Sequence, residues 1–141
     1  MNAITRKEQA SLDAPTVEFE LNGKAVSGRV DEPLIEVARR VGIEIPHLCY
    51  KPGLEAVGNC RACVVEIKGE RTLAPSCCRA PTAGMKVTTD SERAVKSQKL
   101  VLELLQSDMP ETDYTRHNEV DQWSAKLGVG KPRFAARHQP Q

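Results

Sequence analysis

Residues 49–78 read CYKPGLEAVGNCRACVVEIKGERTLAPSCC and hold the cysteines of the chain. Cys49 is followed after ten residues by Cys60, after two by Cys63 and after fourteen by Cys78, with Cys77 beside the last. Thiolates in this arrangement ask for a metal. The spacer in Cys60-Arg61-Ala62-Cys63 lets a tight loop turn both sulfurs toward one iron, which leaves Cys49 and Cys78 to hold a second iron or share the first. Four cysteine ligands are what a [2Fe-2S] cluster needs, although the first gap is longer than in the plant-type C-x4-C-x2-C pattern. Gly53 and Gly58 permit the backbone to bend around such a cluster and to bring amide donors toward its sulfurs. Those donors would stabilise the negative charge added on reduction.

Two other readings compete for the same thiols. Zinc also accepts four thiolates, but its sites usually pair two short C-x2-4-C knuckles, and only one is present. Cysteines with a purely structural role would leave the spacing and the glycines unexplained. Cys77 is read as a bystander, and His47 as a surface or loop-packing residue.

Composition narrows the function classes. In 141 residues, 20 basic side chains face 19 acidic ones, so no overall field argues for nucleic acid or a membrane surface. Residues 1–15 contain no apolar run that could serve as a signal segment, and no later stretch reaches the length of a membrane span. The chain is read as cytoplasmic, a compartment where clustered cysteines are more often metal ligands than disulfides. With few aromatic side chains the core must rest on Val, Leu and Ile, and a bound cluster would add stability that such a core lacks.

Outward from the cysteines, residues 1–14 are polar and without periodicity, and are expected to be disordered. Thr16 to Leu21 alternates, with Val17, Phe19 and Leu21 on one face of a strand. Asn22-Gly23 then predicts a type I′ turn and a second strand over Lys24 to Val30. Asp31 is the expected N-cap of a helix that ends at Gly42, with Leu34, Val37, Ala38 and Val41 on its apolar face. Beyond Cys63, Val64 to Ile67 reads as a strand, Lys68-Gly69-Glu70 as a turn, Arg71 to Ala74 as the start of a short strand, and Met85 to Thr88 as the strand that closes the sheet. Thr89-Asp90-Ser91-Glu92 has the form of a capping box opening a helix to Ser107, with Val95, Leu102 and Leu105 inward. Residues 119–127 predict a further helix with Val120, Trp123 and Leu127 inward. Hairpin, helix and ligand loop in that order predict an α+β fold, a β-grasp of the 2Fe-2S ferredoxin-like kind with a C-terminal helical extension. The expected divisions are a disordered segment over 1–14, the ferredoxin-like domain over 15–90, the helical extension over 91–127 and a linker or tail over 128–141. In that tail Lys131, Arg133, Arg137 and His138 are scattered charges of the kind a solvated connector carries, not a nucleic-acid patch.

HLCY at 47–50, GNCRACVVEI at 58–67, SCCRAP at 76–81 and GMKVTT at 84–89 resemble the N-terminal [2Fe-2S] domain of the complex I 75-kDa subunit family. That family extends to small subunits of NAD-linked hydrogenases, iron hydrogenases and the α subunit of NAD-dependent molybdenum or tungsten formate dehydrogenases. The resemblance covers residues 16–107. It implies one [2Fe-2S] cluster on Cys49, Cys60, Cys63 and Cys78, because relatives place a proline three residues after the last ligand, as Pro81 stands after Cys78. Most relatives continue with a His and three cysteines for a [4Fe-4S] cluster. Here 107–117 reads SDMPETDYTRH, without a cysteine there or downstream, so a second cluster is not expected whatever His117 does.

The stretch 104–134, LLQSDMPETDYTRHNEVDQWSAKLGVGKPRF, is similar to the formate dehydrogenase α-subunit branch. By that resemblance the chain is the N-terminal part of such a subunit. It would relay electrons between the formate-oxidising molybdopterin domain and a flavin- and NADH-binding subunit. The alternatives are a free-standing [2Fe-2S] ferredoxin and a zinc-stabilised interaction domain. Asp113 and Glu119 have no partner that would make a catalytic pair, and no catalytic residue is expected. The isolated chain is expected to be a monomer without nucleic-acid binding or a membrane span.

Overall fold

The computed structural model describes residues 13–109 and 118–135. Residues 1–12, 110–117 and 136–141 lie outside it, and with them most of the expected disordered segment, the stretch lacking second-cluster ligands, His117, Arg137 and His138.

The fold begins at a hairpin whose turn is dictated by two residues. Asn22 at φ 51° and Gly23 at φ 81° give the type I′ geometry that joins β1 (Thr16–Leu21) to β2 (Lys24–Arg29). The register pairs Thr16 with Arg29 and Leu21 with Lys24. Phe19 and Leu21 are buried and Val17 is half-buried, as the alternation predicts. The second strand ends at Arg29, one residue early, where Glu32 folds back to accept from the Arg29 amide.

Helix α1 (Leu34–Arg40) packs on this hairpin. The approach is close enough to require Gly28, since a Cβ there would lie 2.9 Å from Val37 and 3.3 Å from Phe19. Leu34, Val37 and Ala38 are buried and Gly42 takes positive φ past the helix end, but Val41 lies 42% exposed. Asp31 is not the cap. Pro33 holds that position without a side-chain bond, and the first amides are taken by backbone carbonyls, Leu34 to Arg79 (2.8 Å) and Ile35 to Ser76 (3.1 Å). With those donors satisfied, Asp31 pairs with Arg29 at 3.4 Å.

Strands β3 (Val64–Ile67), β4 (Ala74–Pro75) and β5 (Lys86–Thr88) complete a five-stranded sheet of order β2-β1-β5-β3-β4. The β1–β5 pair is parallel and the others are antiparallel. This is the mixed sheet of the expected β-grasp. Its core gathers Phe19, Leu21, Leu34, Val37, Val65 and Val87 between the sheet and α1. The strand expected from Arg71 forms only at Ala74 and Pro75.

Helix α2 (Glu92–Ser107) is capped by Ser91, whose hydroxyl accepts from the Ala94 amide, not by Thr89. Thr89 is occupied elsewhere, exchanging two 2.8 Å bonds with the side chain of Asn22. The buried residues are Ala94, Gln98, Leu102 and Glu103, whereas Val95 is half-buried and Leu105 is exposed. Gln98 explains the rotated face. Its amide donates to the carbonyls of Val64 (2.9 Å) and Thr89 (3.2 Å), which fixes the helix to β3 through a polar residue that apolar periodicity passes over.

Helix α3 (Glu119–Leu127) starts at Asn118, whose side chain accepts from Val120, and ends at Gly128 in the left-handed conformation. Val120, Trp123 and Leu127 are half-buried, and only Ser124 is fully buried. Among the described residues no helix is long and apolar enough to cross a membrane.

Candidate metal centre

Three irregular segments bring the cysteines to one end of the sheet. Cys49 follows α1 on an extended run, Cys60 and Cys63 lie just before β3, and Cys77 and Cys78 lie just after β4. The last two segments are tied together by Ser76. Its amide (3.2 Å) and hydroxyl (2.7 Å) both donate to the carbonyl of Cys63. The Pro75 carbonyl then accepts from the amides of Cys78 and Arg79, each at 3.1 Å, closing a turn that carries the adjacent thiols.

The backbone around the sulfurs is bent at positions that ordinarily disfavour a side chain. Gly53 and Gly58 stand at φ 85° and 64°, and Arg61, inside the Cys60–Cys63 loop, at 60°. A left-handed residue other than glycine costs about 1–2 kcal/mol. The Sγ atoms of Cys77 and Cys78 lie 3.5 Å apart. Cys60 acts on the Cys49 thiol, and Cys63 and Cys78 act on that of Cys77.

Their environments differ. The amide of Cys60, with further contributions from the Cys60 thiol and the amides of Asn59 and Cys49, holds the Cys49 thiol below its ordinary pKa despite partial burial. Donors aimed at a thiolate are what a metal-bound cysteine needs. Cys77 shows the reverse. It is 2% exposed, and burial, reinforced by Cys63 and Cys78, pushes its thiol far up and keeps it neutral. Cys78 is exposed, Cys49 and Cys60 are intermediate and Cys63 is buried.

Neighbouring side chains frame this end of the sheet. Tyr50 is buried and donates to the Glu36 carboxylate, and burial followed by that carboxylate raises its pKa. His47 is half-buried against Trp123, with ring centres 5.5 Å apart, which is the loop-packing role expected of it. A cleft of about 380 Å³ opens beside Cys77 and Cys78, with Pro33, Tyr50 and Leu54 on its walls. Sequence reasoning did not anticipate the Asn59 and Cys60 amides as donors or the roles of Ser76 and Arg61. Backbone direction has no side-chain signature.

Among the described residues no three His, Cys, Asp or Glu side chains converge where one ion could sit. The donor set instead fits a group that spreads over two centres. It has four thiols beside Cys77, amides directed at one of them, and a cradle at Gly58, where a Cβ would lie 2.9 Å from the Cys78 sulfur.

The family described as 2Fe-2S iron-sulfur cluster binding domain matches residues 14–92, more than half of the chain. The chain belongs to that family. Its cofactor is a [2Fe-2S] cluster. This 2Fe-2S domain is 42% identical over 96 residues to the NADP-reducing hydrogenase subunit HndD of Solidesulfovibrio fructosivorans, covering 64% of the chain and 16% of that protein. It is 34% identical over 122 residues to the mitochondrial NADH-ubiquinone oxidoreductase 78 kDa subunit of Candida albicans, covering 84% of the chain and 17% of that subunit. The chain thus spans about a sixth of the length of these relatives. A crystal structure of NAD+-reducing [NiFe]-hydrogenase in the H2-reduced state shares its fold, with a TM-score of 0.78 at 24% identity over 89% of this chain and 54% of the hydrogenase chain.

Proposed function

We propose that the chain is an electron-transfer module of an NAD(P)-linked oxidoreductase, and that Cys49, Cys60, Cys63 and Cys78 hold its single [2Fe-2S] cluster. The observation that carries this reading is the cradle at Gly58, where a Cβ would lie 2.9 Å from the Cys78 sulfur, so that the bend before Cys60 and the turn carrying Cys78 meet where a ligand sits. Bound there, the cluster supplies reversible uptake of one electron at a potential set by hydrogen bonds and solvent exposure. The protein contributes the amides of Cys60, Asn59 and Cys49, which favour added negative charge. It also contributes the buried Cys77, packed in the core beside Cys78.

The exposed Cys78 marks the edge at which a redox partner would exchange electrons. Leu54 shares its cleft and is 70% exposed, giving that edge an apolar surface. Within this reading residues 15–90 form the cluster domain, and 91–127 form an extension without the histidine and three cysteines that would ligate a second cluster. The relatives named above are subunits of NAD(P)-linked oxidoreductases, which supports partners of the same kind.

The finer reading assigns the chain to the α subunit of an NAD-dependent molybdenum or tungsten formate dehydrogenase in the cytoplasm. There it would pass electrons between the molybdopterin domain and the flavin- and NADH-binding subunit. Its support is the similarity of residues 104–134 to that branch.

Anaerobically purified protein should contain about two irons and two sulfides per chain and give a reduced-state EPR signal from one [2Fe-2S] cluster. Stoichiometric zinc without labile sulfide would overturn the cluster assignment. In the complex purified with this chain, formate should reduce the cluster and NAD+ reoxidise it, while the isolated monomer reduces no dye with formate. A complex in which hydrogen but not formate reduces the cluster would refute the formate assignment and leave the relay. A chain that occurs alone and reduces diffusing acceptors would identify a ferredoxin.

A further inference from the structure

Helix α3 lies along the segment that carries Cys49 and touches it at three successive points. Lys126 pairs with Glu44 at 3.1 Å, Trp123 packs on His47 with ring centres 5.5 Å apart, and Glu119 pairs with Lys51. The helix runs down as the segment runs up. Cys49 sits between the second and third contacts.

Side-chain contacts hold the segment from within, His47 Nδ1 to the Ile45 carbonyl at 2.8 Å and the His47 ring edge-on to Tyr50, and the Cys60 and Asn59 amides act on Cys49. Residues 44–50 belong to no helix or strand and make no backbone-to-backbone hydrogen bond among the described residues. Ile45 and Tyr50 anchor it from the inside, and Tyr50 is tied to Glu36. From the outside the helix supplies the contacts, and Lys126 also lies over the Trp123 ring at 4.6 Å. A cleft of about 540 Å³ remains between α1, the segment and Trp123, so α3 bridges the surface there without filling it. Trp123 takes no part in the hydrophobic core, and the sheet and α1 are packed without it.

We propose that α3 is a clasp on the Cys49 ligand segment, with Trp123 as the positioning residue that holds it through His47. The inference rests on Cys49 being a cluster ligand. Ligand release from a cluster starts at the segment that moves most easily, so the clasp slows cluster loss and holds the amides of Cys49, Asn59 and Cys60 in register with the Cys49 sulfur. Most of its hold lies in the aromatic contact. Exposed ion pairs contribute little singly and weaken with salt.

The test is the rate at which the full-length, cluster-loaded chain loses its visible absorbance to an iron chelator without oxygen, read alongside the reduction potential and amide exchange over residues 44–51. Trp123→Ala should lose the cluster roughly three- to tenfold faster, the range expected for one aromatic pair. It should also shift the potential and raise exchange in that segment, while β1 and β3 exchange as before. Trp123→Phe should return all three readouts to near wild type. His47→Leu reaches the same contact from the other side, so combining it with Trp123→Ala should add little to either single change. Wild-type loss rates and potentials in Trp123→Ala, or full additivity of the two substitutions, would overturn the clasp. A wild-type chain that never takes up iron and sulfide would instead refute the cluster assignment, so the two failures are distinguishable.

Discussion

A Cβ on Gly58 would lie 2.9 Å from the Sγ of Cys78, and Gly58 stands at φ +64°. Two segments twenty residues apart in sequence therefore meet at a point where the backbone is left-handed and a sulfur fills the space a side chain would take. Of the described glycines with positive φ, Gly58 alone has an atom within 4 Å of its notional Cβ. The others turn the chain in open space, whereas this one also makes room for a ligand.

Gly58→Ala should consequently do more than strain a loop. The left-handed conformation costs about 1–2 kcal/mol for any residue with a Cβ, and relief of the sulfur contact must move Cys78 or the 58–60 backbone. Iron content after purification should fall well below wild type, with faster loss to a chelator. Gly53→Ala, with the same backbone strain and nothing within 4 Å, should cost melting temperature alone. Equal iron content in the two variants would show that the sulfur contact has no consequence.

Gln98 is 1% exposed and holds the carbonyls of Val64 and Thr89. Gln98→Met keeps the volume and removes both donors. Each carbonyl left buried without a partner costs about 1–3 kcal/mol. Chemical denaturation of the variant should show a loss of about 2–6 kcal/mol for the two carbonyls together, and Gln98→Glu should be worse near neutral pH, because the donor becomes a buried carboxylate facing two carbonyl oxygens. A Gln98→Met chain as stable as wild type would mean that α2 is held by Ala94 and Leu102 alone.

Much of this was legible in the sequence, for reasons particular to each residue. Asn22-Gly23 announced the hairpin because few dipeptides tolerate two positive φ values, and Gly42 marked a helix end on the same ground. The start of α1 was not legible, since its amides are satisfied by carbonyls of Ser76 and Arg79, more than forty residues away. The inner face of α2 was misjudged because its deepest contact is a glutamine. Local signals predict what local geometry decides. These two depend on residues brought together only by the fold.

Helix α2 and the segment after α3 are joined by a link that responds to acid. Arg133 donates to both carboxylate oxygens of Glu103, at 2.7 and 2.9 Å. Those bonds, together with the Arg133 amide, lower the Glu103 pKa from 4.5 to about 2. A folded-state pKa below the unfolded one gives stability that is present above the unfolded value and is lost as pH falls through the folded one. The link should hold above pH 4.5 and open between there and about 2. Proton NMR of the Arg133 side chain and exchange at 129–133 should follow that window. Glu103→Gln should remove the pH dependence and leave the segment loose throughout. An Arg133 signal unchanged down to pH 2 would refute the link.

The adjacent thiols offer the sharpest test of the ligand assignment. The two residues lie in a turn, not in the extended run that would send them to opposite sides, and the turn buries Cys77 in the core while leaving Cys78 exposed at the cleft. Cys78→Ser should therefore lose or greatly destabilise the cluster. Cys77→Ser should keep the visible absorption and the reduced-state EPR signal, but it places a hydroxyl where a neutral thiol was packed, which costs about 1–3 kcal/mol of stability. The complication is the short distance between them. With sulfurs 3.5 Å apart, a one-residue slip of the Ser76–Arg79 turn could offer Cys77 in place of the missing ligand. That slip would break the paired Ser76 bonds to Cys63 and draw Cys77 out of the core, so a rescued Cys78→Ser protein should show an altered spectrum and a lowered melting temperature together. The double variant, Cys77→Ser with Cys78→Ser, removes the rescue and should hold no cluster. If Cys77→Ser abolishes the cluster while Cys78→Ser leaves both spectrum and stability as in wild type, Cys77 is the fourth ligand, and the buried thiol must turn outward when iron binds.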